Sequence, residues 1–280
     1  MIGARVIAII LILLFPLPGY CEYLFFESDT ATDIRGWHPE SRNRCYFPGD
    51  EDADHLAAKL FKNILSYIQK DAEYSEALMK TAVTTGIAFC IENRADGSRG
   101  YYDYRYNIIA VRESLGFYQK VAIVLHELRH VEQVNRGFRQ TLEYSMNEMT
   151  RMTYAVEADV QAFSVLFAWR MKKKGLPDLW HTLLTFKHYA DIAKSFEQEM
   201  ARSDDDMRAI KQAFIQWYDS AWRKKNYRTG CCMGYLDMLD ETNLIESYEL
   251  LPQDFFDELC VLPDGRNYGC QFTNVIKQES

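Results

Sequence analysis

The sequence has no excess of basic residues. It contains 32 lysines and arginines against 40 aspartates and glutamates, which gives a formal net charge of -8. Because a nucleic-acid-binding surface usually needs a basic patch, this composition argues against a nucleic acid as partner. Internal repeats and low-complexity tracts are also missing, which excludes repeat architectures. With 48% hydrophobic and 14% aromatic residues, the chain has the composition of a globular protein with a hydrophobic core.

Long apolar runs are scarce, and the one that occurs lies at the N-terminus. Residues 6–15 read VIAIILILLF, follow Arg5, and end at a segment rich in proline. About ten apolar residues are too few to cross a bilayer core about 30 Å thick, but they suit the core of a signal peptide. We therefore expect residues 1–21 to be a signal peptide and the mature chain to begin at Glu22. The mature protein would have no stable membrane span, whereas an uncleaved signal would anchor it in a membrane.

The cysteines include no C-x-x-C pair. Seven cysteines are present, and loss of Cys21 with the signal would leave an even number. An even number of cysteines in an exported chain favours disulfide bonds, and so a periplasmic or secreted protein. We expect at least one disulfide to join Cys231 or Cys232 to Cys260 or Cys270, which would hold a loop-rich tail to the body of the protein. A zinc cluster held by these four thiolates is the alternative.

Hydrophobic periodicity predicts a mainly helical protein with a small β-hairpin. Apolar residues at helical spacing predict helices over 52–70 and 72–84, the first of them capped by Asp52 or Asp54. Residues 86–92 and 101–111 are typical of two strands joined by a turn at Asp96-Gly97. Four long helices are expected after the hairpin, over 115–136, 140–174, 178–202 and 205–227. The tail from Gly230 is expected to consist of short helices and loops.

The most specific motif is the H-E-L-R-H run at residues 126–130, which matches H-E-x-x-H. Histidines four residues apart share one face of a helix, so His126 and His130 can both reach one zinc ion. Glu127 would then lie beside the metal, where it can act as the catalytic base. The apolar residues 121–125 predict that this helix is buried, and a buried His-Glu-His cluster is costly unless a metal compensates it. Two structural histidines with a solvated Glu-Arg face are the alternative.

A hydrolytic zinc site needs a third protein ligand and one open position. Residues 131–137 read VEQVNRG, so the third ligand cannot come from an extended H-E-x-x-H-x-x-G-x-x-H motif. Glu157 is the best candidate, since it lies in the otherwise apolar helical segment VEADVQAF. Asp159 and Glu148 are the fallback ligands. The alternative is that Glu157 and Asp159 form ion pairs with nearby arginines.

A hairpin, an H-E-x-x-H helix and a second helix with an E-A-D segment resemble the gluzincin type of zinc metallopeptidase. More narrowly, the segments HELRHVEQ and VEADVQAF are similar to uncharacterised bacterial metallopeptidases over about residues 86–170. The resemblance implies that Glu157 is the third zinc ligand and that the strand before the zinc helix is a substrate platform. The family often has an Asp four residues after that Glu, where this chain has Gln161. Either Gln161 or Asp159 could orient a ligating histidine.

The sequence therefore predicts an α+β protein: a mainly helical, zincin-like domain over 22–230 with a small antiparallel sheet, and a cysteine-bearing tail over 231–280. The predicted function is that of a zinc-dependent metallopeptidase, which hydrolyses peptide bonds through a metal-activated water. Its cofactor would be Zn2+ and its substrate a peptide or protein. Two alternatives stay open. One is a zinc hydrolase acting on a non-peptide amide of the cell-wall type, and the other is an exported binding or assembly protein with a structural zinc site.

Overall fold

The computed structural model describes residues 43–50, 52–92 and 99–278. Within these ranges the elements are β1 (Cys45–Tyr46), α1 (Leu56–Ile68), α2 (Ala72–Thr84), β2 (Ala88–Glu92), β3 (Gly100–Asp103), β4 (Ile108–Arg112), α3 (Phe117–Asn135), α4 (Met146–Lys173), α5 (Asp178–Leu183), α6 (Ala190–Ser203), α7 (Asp206–Trp217), α8 (Ala221–Thr242) and α9 (Asn274–Gln278). The mainly helical character and the small sheet are as predicted. The expected signal peptide and the turn at Asp96-Gly97 lie outside the described residues. No helix in the described ranges has the length and apolarity that a membrane crossing needs.

The sheet is mixed, not antiparallel, with strand order β1-β2-β4-β3. Strand β2 runs parallel to β4, and β3 forms an antiparallel hairpin with β4. The predicted single strand over 101–111 is therefore wrong, and so is its antiparallel pairing with 86–92. The chain turns inside this stretch, where the Asp103 carboxylate accepts from the Arg105 amide and Asn107 adopts a φ of 54°. The alternating tyrosines of the sequence run through this turn, which is why they resembled one continuous strand.

Both faces of the sheet are covered. On one face, the Cys45–Cys90 disulfide joins β1 to β2 and packs with Ala88, Ile108 and Ala110. The opposite side chains of the same strands, among them Phe89 and Ile109, belong to the main core beneath the helices. This burial on two faces explains why β2 and β4 are nearly continuous apolar runs.

Some helix boundaries follow the prediction and others differ from it. Helix α2 has the predicted bounds, whereas α1 begins later, with His55 Nδ1 accepting from the Ala58 amide as its N-cap. The predicted helix over 178–202 is divided into α5 and α6, and that over 205–227 into α7 and α8. At the second break, the Ser220 hydroxyl caps α8, and the Arg223 guanidinium donates to backbone carbonyls at the end of α7. Helix α8 then continues to Thr242, so the prediction of short helices and loops from Gly230 is wrong as far as that residue.

The two motif-bearing helices form the centre of the molecule. Helix α4 contacts α3, α5, α6, α7 and α8, and α3 also packs on α2 and on the hairpin strands. The polar residues of the H-E-x-x-H run are buried with the apolar ones, as the sequence predicted. The candidate site therefore lies on two largely buried helices.

The cysteine pairing differs from the prediction. Cys260 bonds to Cys270 in a loop that closes on itself through a bridge between Val261 and Asn267, while Cys231 and Cys232 are free thiols. The expected bond between these two groups is wrong because α8 continues through Cys231, whose thiol is buried and accepts from the Gln140 amide. Two disulfides are typical of an exported protein.

Candidate metal centre

His126, His130 and Glu157 come together in the buried space between α3 and α4. The two histidine Nε2 atoms lie 3.1 Å apart. Glu157 Oε1 is 3.4 Å from His130 Nε2, and Glu157 Oε2 is 3.7 Å from His126 Nε2. Each histidine is 4% exposed and Glu157 is fully buried. The three potential ligand atoms lie within 4.8 Å of one another, so one ion could contact all three.

The chemistry of this cluster fits a metal ion. Two imidazole nitrogens and one carboxylate are a known ligand set of catalytic zinc sites. Neither carboxylate oxygen of Glu157 has a hydrogen-bond partner among the described residues, although both are shielded from solvent. A buried carboxylate without hydrogen bonds is costly, and a cation bound to it would remove that cost.

The charges of the three side chains are coupled. Burial lowers the pKa of His126 to about 4, so this imidazole is neutral, as a metal ligand must be. Burial alone would raise the pKa of Glu157, but the positive charge of His130 and the contact with His126 hold it at about 2. For His130, burial favours the neutral form, but Glu157 and Glu127 outweigh it and raise the pKa above its usual value. A metal ion at this site would therefore compete with a proton on His130.

Each histidine is also held at its other ring nitrogen. His130 Nδ1 lies 2.9 Å from Gln133 Oε1, so it donates to that oxygen and leaves the Nε2 lone pair directed at the cluster. The side-chain amide of Gln161 lies 3.2 Å from His126 Nδ1, one of the two positions expected to orient a histidine. The oxygen and nitrogen of a glutamine amide exchange places by a rotation, so Gln161 can accept the Nδ1 proton.

Asp159 takes part in a different network. Its carboxylate accepts from the Arg129 guanidinium at 2.9 and 3.2 Å, from the Gln133 amide at 2.7 Å and from the Tyr268 hydroxyl at 2.7 Å. The ion pair with Arg129 is the alternative that the sequence left open for Asp159. A chain of hydrogen bonds thus runs from Tyr268 through Asp159 and Gln133 to His130. Gln133 was not identified from the sequence, although its position three residues after His130 is a pattern that could have found it.

Glu148, the other fallback ligand, lies outside the metal cluster. Its carboxylate pairs with Arg151 at 2.7 Å and accepts from the Leu251 amide at 3.1 Å. The side chain is buried, and both contacts are made by Oε2. Glu148 therefore joins α4 to the segment that follows α8.

Two clefts reach the histidine pair. The first cleft, of about 500 Å³ including its open mouth, is bounded by Tyr102, Tyr104, Val134, Phe138, Met152 and Val156 and reaches Glu127 and His130. The second cleft, of about 410 Å³ by the same measure, is bounded by Arg99, Ala122, Ile123, Ser164, Leu183, Phe186 and Tyr189 and reaches His126 and Gln161. Strand β3, which supplies Tyr102, is the edge strand next to the first cleft. The cluster is therefore buried but accessible to a ligand.

Comparison with known proteins gives one family. A family model described as "Putative metallopeptidase family (DUF6782)" matches residues 39–270. No curated protein and no solved structure matches the chain. The matched stretch includes both motif-bearing helices and the Cys260–Cys270 loop.

Proposed function

The chain belongs to this metallopeptidase family, and we propose that it is a zinc-dependent peptidase whose metal is held by His126, His130 and Glu157. Membership of the family implies a metal cofactor and a peptide or protein substrate. The observation that carries the proposal is the buried cluster of two imidazoles and one carboxylate at the meeting of α3 and α4. On the same grounds we assign the site to the gluzincin type, in which a distant glutamate is the third ligand.

The chemistry divides between the metal and the surrounding side chains. When bound, zinc would polarise the scissile carbonyl and lower the pKa of a water molecule to about 7. Glu127 follows His126 on the same helix and lines the first cleft beside His130. Its carboxylate would accept a proton from the attacking water and deliver it to the leaving amine. Gln133 and Gln161 would keep both histidines in the tautomer that presents Nε2 to the cluster.

The edge strand of the sheet is suited to bind an extended peptide beside this site. Strand β3 lies at the edge of the sheet, and the side chain of Tyr102 lines the first cleft. A peptide that pairs with such an edge is bound through its backbone, while the neighbouring cleft selects its side chains. The apolar walls of the first cleft would accept a large apolar side chain.

Two features favour an enzyme over a protein with a structural zinc site. Structural zinc ions usually have four protein ligands, whereas catalytic ones have three and an open position. Among the described residues, the cluster offers three ligands. Both clefts reach its histidines, which would give a substrate access to the open position.

Removal and return of the metal test the proposal. The mature protein is treated with a chelator, dialysed, and assayed on a peptide library before and after addition of one equivalent of zinc. We expect cleavage to be lost in the metal-free protein and restored by zinc, because the metal supplies the activated water. Full cleavage by protein shown to be metal-free would contradict the proposal.

A further inference from the structure

The segment that follows α8 exposes a group of apolar side chains. Leu244, Ile245, Tyr248 and Leu250 are 59%, 90%, 85% and 71% exposed. A stretch of seven residues spans at most about 25 Å, so these four side chains belong to one surface patch. Contiguous exposed apolar patches on a globular protein often mark a place where another molecule binds. We call residues 244–250 the apolar segment.

The apolar segment is fixed to the body of the protein without help from its exposed side chains. The Glu249 carbonyl accepts from the Ser145 amide at 2.9 Å. The Ser247 hydroxyl donates to the Glu143 carbonyl at 2.9 Å. Both contacts hold the segment against the start of α4. Substitution of its exposed side chains should therefore change stability little, which makes the patch accessible to mutation.

The net charge of the chain is concentrated around this segment. Residues 237–258 contain eight acidic residues and no basic one, whereas the rest of the chain contains 32 acidic and 32 basic residues. The formal net charge of -8 therefore comes entirely from this stretch. Within the apolar segment, Glu246 and Glu249 alternate with the exposed apolar side chains, and neither forms a salt bridge within the described residues. The patch is thus apolar and negatively charged together.

Charge narrows the set of molecules that could cover the patch. A second copy of the chain would bring two negative surfaces together, which opposes association. Residues 22–42, which lie outside the described ranges, carry five acidic and two basic residues and so do not complement it. An anionic membrane or a nucleic acid is repelled for the same reason. A polypeptide with basic and apolar side chains complements the patch in both respects.

We propose that the apolar segment is a docking surface for a basic, apolar segment of another polypeptide. Apolar side chains of the partner would cover Ile245 and Tyr248, and its lysines or arginines would lie beside Glu246 and Glu249. Covered aromatic and aliphatic side chains supply the affinity of such a contact, while complementary charge selects the partner and speeds association. The inference goes beyond the proposed function and does not depend on peptidase activity.

Binding of synthetic peptides to the mature protein tests the surface. The probe is a labelled peptide of Lys and Leu in equal number, and fluorescence anisotropy is the readout. Two matched peptides serve as controls: a Glu-Leu peptide reverses the charge, and a Lys-Ser peptide removes the apolar side chains. We expect the Lys-Leu peptide to bind about tenfold or more tightly than either control, because only it complements the patch in both respects. Equal affinity for all three peptides would overturn the proposal.

Two double variants locate the binding on the apolar segment. Ile245→Ser combined with Tyr248→Ser removes apolar contacts and should weaken Lys-Leu binding by about tenfold or more. Glu246→Lys combined with Glu249→Lys should also weaken it, and should improve binding of the Glu-Leu peptide. Unchanged binding of the Lys-Leu peptide in both double variants would overturn the proposal.

A third double variant separates the local surface from the overall charge. Glu76→Lys combined with Asp219→Lys changes the net charge by the same amount as the Glu246 and Glu249 reversal, at two exposed carboxylates outside residues 237–258. This control should bind the Lys-Leu peptide as the parent does. An equal loss of binding in the control and in the reversed surface would overturn the proposal.

Two further measurements test the other occupants. Sedimentation velocity should show no self-association that depends on the apolar segment, and vesicles of phosphatidylcholine or phosphatidylglycerol should not retain the protein. A dimer that Ile245→Ser with Tyr248→Ser dissociates would assign the surface to a second copy. Vesicle binding that the same variant abolishes would assign it to a membrane. Either result would overturn the proposal.

Discussion

Glu157 holds a negative charge between two imidazoles in a space that solvent does not reach. Its two oxygens have no other partner among the described residues. A metal ion shared with the two histidines would compensate this buried charge. Glu148, on the same helix, is equally enclosed but has an ion pair and a backbone donor. The two glutamates therefore form a matched pair for a test of ligation.

Replacement of Glu157 by Ala should lower zinc affinity sharply, because a metal ligand is removed. Loss of a residue that only hydrogen-bonds to a ligand costs roughly 10- to 100-fold in metal affinity, and the loss for Glu157→Ala should be larger. Glu148→Gln should retain about one zinc ion per chain, whatever its effect on stability. Metal analysis and competition with a chromophoric chelator measure both affinities. Zinc bound equally well by Glu157→Ala would remove this glutamate from the ligand set.

The spacing of His126 and His130 shows why part of the site could be read from the sequence. Two residues four positions apart share a helix face in any helix, so a local pattern was enough to bring their rings together. Gln133 lies three residues after His130 on the same helix, so the same kind of local pattern could have found it. Tyr268 reaches the site through a tertiary contact with Asp159, which no local pattern encodes.

At the scale of elements, the Cys260–Cys270 loop is hydrogen-bonded to α3 and α4, the helices that carry the candidate ligands. The Tyr268 ring is buried, and its hydroxyl donates to Asp159, which also binds Gln133 and Arg129. Arg129 in turn donates to the carbonyls of Leu259 and Val261 at the start of the loop. The loop and α3 are thus joined by a network in which each polar group has a partner.

Tyr268→Phe removes one donor from this network and leaves the ring in place. We expect the free energy of unfolding to fall by about 1–3 kcal/mol, the cost of leaving a buried acceptor short of one hydrogen bond. Tyr248→Phe is the control, because Tyr248 is 85% exposed and its hydroxyl can bond to water. Urea unfolding measures both variants, and equal stability of Tyr268→Phe and the parent would show that this bond contributes nothing.

A second link between elements joins α2 to α4. Burial alone would raise the pKa of Asp71, but hydrogen bonds from Arg170 and Lys174 lower it below its usual value. Because the folded pKa is the lower one, the link stabilises the protein above the unfolded pKa of about 3.9. This contribution is lost as the pH falls through the folded pKa.

Asp71→Asn should therefore lower the free energy of unfolding at pH 7, by about 1–3 kcal/mol. The difference from the parent should shrink as the pH falls below the unfolded pKa of about 3.9, and it should be lost once the parent's folded Asp71 is protonated as well. Asp54→Asn, at a carboxylate that is 83% exposed, should change little at any of these pH values. A difference for Asp71→Asn that already disappears above the unfolded pKa would contradict the lowered pKa.

At the scale of the whole molecule, the fold class could be predicted, but the pairing of the strands and of the cysteines could not. Helical periodicity identified α2 and the cores of α3 and α4, because an apolar stripe is a local property. The parallel pairing of β2 with β4 joins residues that are 20 positions apart, as in Ala88 opposite Ile108, and depends on packing of the whole chain. The predicted disulfide partners were wrong for a similar reason. Cys231 and Cys232 lie within α8, and no local pattern showed that this helix continues past them.

The most direct measurement compares zinc content and peptide turnover in the parent, in Glu127→Gln and in Glu143→Gln, an exposed control. Glutamine keeps the shape of the fully buried Glu127 side chain but removes its basic carboxylate. We predict about one zinc ion per chain in all three proteins and the parent's turnover in the control. Turnover by Glu127→Gln should fall by a factor on the order of 10²–10⁴, the usual share of a general base. Cleavage by Glu127→Gln at the parent's rate, with zinc bound, would contradict the proposed mechanism.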